Sequence, residues 1–135
     1  MSDALYQEAL LKLAKEAPRR GRLEPSDASV RLDNPLCGDR VRIDLRMSGP
    51  TIADLAHEVR GCVLCEAAAG AIGRLAVGLD KEGVVRLAAE ADKALVGEAS
   101  EVQELQAFNP VSRHRSRHDC VRLPFQALKQ AMGGE

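Results

Sequence analysis

Apolar positions along the chain change period twice, and each change marks a new kind of element. Tyr6, Leu10, Leu13 and Ala17 recur at helical spacing until Pro18 and Gly21 end the pattern, so an amphipathic helix is predicted over residues 3–16. The turn-rich passage RRGRLEPSD follows. Val30 and Leu32 then alternate with Ser29, Arg31 and Asp33, and Val41, Ile43, Leu45 and Met47 alternate with Arg42, Asp44 and Arg46. A period of two is that of a strand with one buried face. After the turn SGP, the run TIADLAHEVR puts Ala53, Leu55, His57 and Val59 on one face of a third strand. Short connections between the three predict an antiparallel meander with helices on one face, an α+β fold.

Past Gly61 the helical period returns. CVLCEAAAGAIGRLAVG is rich in Ala and Gly, which suits a helix packed closely on the sheet, although Gly70 and Gly73 each cost about 1 kcal/mol of helix propensity. Val84, Leu87, Ala91 and Leu95 form a second stripe, SEVQELQAF a short third piece, and Val121, Phe125, Leu128 and Met132 a last helix with Pro124 near its first turn. The 135 residues are expected to form a single domain, 1–135, in which about 80–108 is a helical addition.

Composition narrows the function. With 19 Lys+Arg against 20 Asp+Glu the net charge is −1, so no polyanion partner or membrane surface is indicated. No Trp, one Tyr and two Phe leave no platform on which nucleic-acid bases would stack. No apolar run is long enough for a membrane span, and MSDALYQEALLK lacks a secretory pattern, which predicts a cytoplasmic protein. In a reducing compartment Cys37, Cys62, Cys65 and Cys120 are ligands, nucleophiles or small buried hydrophobes rather than disulfides.

Three of these thiols fall where the elements meet. Cys37 lies in the connection between the first two strands, Cys62 just past the third where the long helix begins, and Cys120 at the start of the last helix. In a meander the loop before strand two and the end of strand three share one sheet edge, so the three thiols can converge there. Helix N-termini favour the thiolate, the form that ligates metal or attacks. Cys65 reads as a packing residue in a small-residue helix, against the rival that Cys62-Val-Leu-Cys65 is a dithiol redox pair or half a zinc knuckle. His57 reads as sheet packing or a solvent-facing residue, and the basic run Arg113, His114, Arg115, Arg117, His118 as a solvated loop available to a partner.

NPLCGD, VRGCVLCEAAAG and SRHDCVRLPFQAL resemble, in order and setting, the three signature blocks of the IscU/NifU-type iron–sulfur scaffold family, and more closely its SufU branch. The resemblance spans nearly the whole chain. It implies a metal site of Cys37, Asp39, Cys62 and Cys120, with Arg117 matching the arginine that precedes the third cysteine in SufU-like proteins. One carboxylate with three thiolates suits tetrahedral zinc. The SufU branch implies a sulfur acceptor, possible sulfurtransferase in class, that takes persulfide from a cysteine desulfurase of SufS type on its first cysteine. The IscU branch implies the same residues also holding a transient iron–sulfur cluster bound for apo iron–sulfur proteins. Two features favour the SufU branch: the long helical interval between Cys62 and Cys120, and the absence of the LPPVK motif where FNPVSRHRSRHDC stands. IscU-type proteins place His directly before the third cysteine, where this chain has Asp119 with His118 one further back, so the resemblance carries over no histidine ligand. The other functional readings are a dithiol oxidoreductase using Cys62 and Cys65, and a zinc-stabilised binding module.

Overall fold

Three strands pair in sequence order in the computed structural model of the chain, which describes residues 3–35 and 38–133. They are β1 (Ala28–Asn34), β2 (Asp39–Ser48) and β3 (Thr51–Arg60), antiparallel throughout. Val41, Ile43, Leu45 and Leu55 point to one face and are fully buried. Helices α2 (Val63–Leu75) and α4 (His118–Ala131) pack on that face, α1 (Asp3–Lys15) lies against α2, and α3 (Lys81–Leu95) lies against α4. A 3₁₀ segment, Gln103–Arg113, touches both α1 and α3 and seats Leu105 and Phe108 in the core. The architecture is the α+β meander that the alternating runs predict. Of the first helix's stripe, Leu10 and Leu13 are buried, whereas the side chain of Tyr6 lies outside the described residues.

Simple alternation fails in β3. Met47 pairs with Ile52 and Arg46 with Asp54, so Ala53 is the extra residue of a bulge. Ile52 therefore turns inward, at 1% exposure, and Ala53 is exposed instead of facing the core. On β2 the other departure is Asp44, fully buried although it alternates with the apolar set. Its carboxylate accepts hydrogen bonds from Ser29 Oγ (2.6 Å), Arg42 Nε (2.9 Å) and the Leu23 N–H (3.1 Å), the last from the segment that crosses this face before β1. Burial pushes the Asp44 pKa up, but the three donors outweigh it and hold the group below its ordinary range.

The same segment covers the free edge of β3: the His57 N–H donates to the Arg19 carbonyl (3.0 Å) and the Gly21 N–H to the His57 carbonyl (2.9 Å). The His57 ring is buried and its Nε2–H donates to the Pro18 carbonyl at 2.8 Å. Burial lowers its pKa, so the neutral ring is a packing element here.

Gly70 and Gly73 serve a different neighbour from the one expected. A Cβ at Gly70 would lie 2.1 Å from the Leu13 carbonyl oxygen, and one at Gly73 would lie 2.6 Å from that of Pro18. The tightest approach of α2 is thus to α1 and the residues after it, and not to the sheet. The last helix begins at His118, which puts Pro124 in its second turn; the missing N–H removes the intrahelical bond to the Cys120 carbonyl.

Candidate metal centre

The register carries Asp39 to the open end of the sheet. Arg40 pairs with Arg60, so the chain leaving β3 passes directly beside Asp39 as Gly61 and Cys62. Cys62 is the N-cap residue of α2, in extended conformation, but its side chain makes no capping bond; Sγ turns to Asp39 Oδ2 at 4.0 Å. The Cys62 N–H donates to Asp39 Oδ1 at 3.1 Å, so one of the unpaired amides at the start of α2 anchors the carboxylate. Cys120 enters from the first turn of α4 and is buried. The donor atoms of Asp39, Cys62 and Cys120 all lie within 4.8 Å of one another.

Two sulfurs and a carboxylate oxygen this close form a soft, anionic donor set. In the absence of a cation, burial pushes the Cys120 thiol well above the ordinary thiol range, and hydrogen bonding with Asp39 and Cys62 pushes it further. The helix N-terminus at Cys120 does not offset that cost, so ionisation of its sulfur calls for a bound cation. Zinc fits the set: sulfurs bonded at about 2.3 Å around a tetrahedral ion lie about 3.8 Å apart, inside the 4.8 Å within which the three donors already lie. Asp39, Cys62 and Cys120 would hold it as three of four ligands. Cys37, the fourth expected donor, lies outside the described residues. The β1–β2 connection that carries it is closed by the Gly38 N–H, which donates to the Asn34 carbonyl at 2.8 Å, with Gly38 at φ +73°.

The remaining sequence candidates separate clearly. Arg117 is exposed and, with Ser116, lines the depression formed by Asp39, Gly61, Cys62 and Cys120. His118 is buried with Nε2–H donating to the Val111 carbonyl at 3.1 Å, bracing the 3₁₀ segment, and Asp119 is exposed. Cys65 is fully buried in the hydrophobic core of α2.

Two residues of the centre escape a reading of the sequence. Ser116 belongs to a short 3₁₀ turn, Arg115–Arg117, that leaves no periodic signal. Gly61 has a local signal, a glycine between a strand and a cysteine, but its reason is tertiary: a Cβ there would sit 2.3 Å from Asp39 Oδ1. Gly61→Ala is therefore expected to displace the carboxylate and weaken zinc binding by about 10- to 100-fold, read by competition with a chromophoric chelator. Unchanged affinity would mean that Asp39 does not bind the ion.

Comparison with known proteins agrees with this architecture. The NifU-like N terminal domain model matches residues 5–133. The chain is 26% identical over 137 residues to the zinc-dependent sulfurtransferase SufU of Bacillus subtilis, covering 98% of this chain and 92% of that protein. It is 26% identical over 131 residues to the iron-sulfur cluster assembly scaffold protein IscU of Thermotoga maritima, covering 95% and 92%. The crystal structure of a NifU-like protein (N-terminal) from Brucella abortus superposes with a TM-score of 0.88 at 25% identity, covering 97% of this chain and 94% of the other.

Proposed function

We infer that this chain, which belongs to the NifU-like N-terminal domain family of iron–sulfur cluster assembly scaffolds, is a zinc-dependent sulfur acceptor that takes persulfide sulfur from a cysteine desulfurase. The observation that carries this reading is the convergence of Asp39, Cys62 and Cys120 within 4.8 Å at the end of the sheet, with Arg117 at the rim. Zinc on Cys37, Asp39, Cys62 and Cys120 supplies ionised thiols at neutral pH and ties strand, loop and two helix starts together.

The identities to SufU and IscU are equal, so the choice of branch rests on this chain's own residues. The position before Cys120 is Asp119, an exposed carboxylate, and His118 gives its Nε2–H to the Val111 carbonyl and is not among the donors grouped with Asp39, Cys62 and Cys120. That supports the SufU-like reading. Asp39, a hard oxygen among sulfurs, is the weakest donor and the point at which the site opens. The Cys37 thiolate attacks the outer sulfur of the desulfurase's cysteine persulfide. The sulfur–sulfur bond breaks, the desulfurase cysteine leaves as its thiolate, and Cys37 carries the sulfur as a persulfide, with no external oxidant or reductant. Arg117 holds the docked geometry from the rim. An iron–sulfur cluster, where one forms, is cargo on the same donors and passes to apo iron–sulfur proteins. The dithiol alternative is disfavoured because Cys62, the thiol that would have to attack a partner, turns its sulfur to Asp39 and Cys120, whereas Cys65 packs in the core.

The test is to purify the protein aerobically, measure zinc, iron and labile sulfide, and add it to a desulfurase of the SufS type. One zinc per chain and faster cysteine turnover are expected. Absence of both would overturn the reading, and iron with labile sulfide in place of zinc would move the protein to the IscU-like role.

A further inference from the structure

The open face of the sheet carries a charge pattern that the fold does not require. Strand register sets Arg31 directly opposite Arg42 and Arg40 directly opposite Arg60. Like charges facing each other across paired strands destabilise a sheet. Neutralisation is partial: Arg40 pairs with Asp33 (2.9 Å), Arg42 with the buried Asp44 (2.9 Å), and Arg22, from the segment before β1, with Glu58 (2.6 Å). Arg31 and Arg60 are exposed and have no ion-pair partner among the described residues. All five guanidiniums line one depression together with Glu58 and Val59. The whole chain has a net charge of −1, so this positive excess is local.

We propose that this face is a docking surface for an acidic segment of a partner protein, whose carboxylates engage Arg31 and Arg60 and relieve the repulsion between facing arginines. The planar guanidinium binds a carboxylate in a two-pronged pair, which suits arginine in preference to lysine on such a surface. Protein fits better than nucleic acid for three reasons. Glu58 and Asp33, paired with Arg22 and Arg40, interrupt the arginines, so the face offers separate two-pronged sites for single carboxylates and not the continuous positive strip that a phosphate backbone tracks. Both phenylalanines, Phe108 and Phe125, are buried, so no aromatic stack is offered from them. A net charge of −1 gives no long-range pull on a polyanion. Arg40 follows Asp39 and Arg60 precedes Gly61 and Cys62, so a segment seated here ends beside the centre. The surface does not depend on which ion that centre holds.

The probe is a short fluorescein-labelled peptide of alternating Glu and Ser, followed by anisotropy on the full chain at low and moderate salt. Binding should weaken with salt, weaken about tenfold in the double variant Arg31→Glu/Arg60→Glu, and stay unchanged in Arg86→Glu on α3. The double variant creates opposite-charge pairs across the strands, so it is expected to melt at or above the parent temperature. Absence of peptide binding, equal loss in Arg86→Glu, or a lower melting temperature for the double variant would overturn the proposal. So would a double-stranded oligonucleotide that binds more tightly than the peptide through the same arginines.

Discussion

Cys62→Ser is expected to strip zinc from the protein and lower its melting temperature by about 10 °C or more, while Cys65→Ser keeps the metal. Cys62 stands at the joint of β3 and α2 with its sulfur toward Asp39, so under the proposed function its loss removes a ligand and unties two elements. An ion present at about a thousand times its dissociation constant stabilises the folded state by about 4 kcal/mol. For a domain of this size each kcal/mol shifts the midpoint by about 3–5 °C, which gives the expected drop. Cys65→Ser instead puts a hydroxyl into a fully buried apolar site, at a cost of about 1–3 kcal/mol without touching the donors. Elemental analysis and calorimetry on both variants and on chelated parent protein decide it. Equal loss of zinc from the two variants would restore the dithiol reading, and an unchanged melting curve after verified zinc removal would mean that the ion does not brace the fold.

The second large effect concerns where sulfur lands. After one turnover with desulfurase and cysteine, the added sulfur is expected on Cys37, and Cys37→Ser should abolish transfer while Asp39→Ala permits it with faster metal exchange. Attack on a partner's persulfide needs an accessible thiolate. Cys120 is buried in the first turn of α4 and Cys62 is held at the N-cap of α2, whereas Cys37 belongs to the β1–β2 connection next to Gly38. Trypsin separates the candidates, because cleavage after arginine leaves Cys37 in LDNPLCGDR, Cys62 with Cys65 in GCVLCEAAAGAIGR, and Cys120 in HDCVR. Sulfur on the Cys120 peptide with Cys37 unmodified would overturn the assignment and point to an IscU-like mechanism.

The sequence by itself determined the meander, because period-two alternation and the reversal at SGP are encoded by neighbouring residues. It also determined that the chain entering β2 and the chain leaving β3 share one end, which is where Asp39 and Cys62 stand, and the structure brings Cys120 from α4 to the same donors. Only the tertiary structure decided the rest. The bulge that exposes Ala53 depends on the register against Met47, and the burial of Asp44 depends on Leu23 arriving from another segment. Cys65 lies one turn from Cys62 yet is buried in the core, and Gly61 is glycine because Asp39, 22 residues earlier in the chain, places Oδ1 2.3 Å from where a Cβ would stand. A local pattern records which face of an element is apolar. It does not record which distant atom will press against a given Cα, and that contact is what sets the shape of the centre.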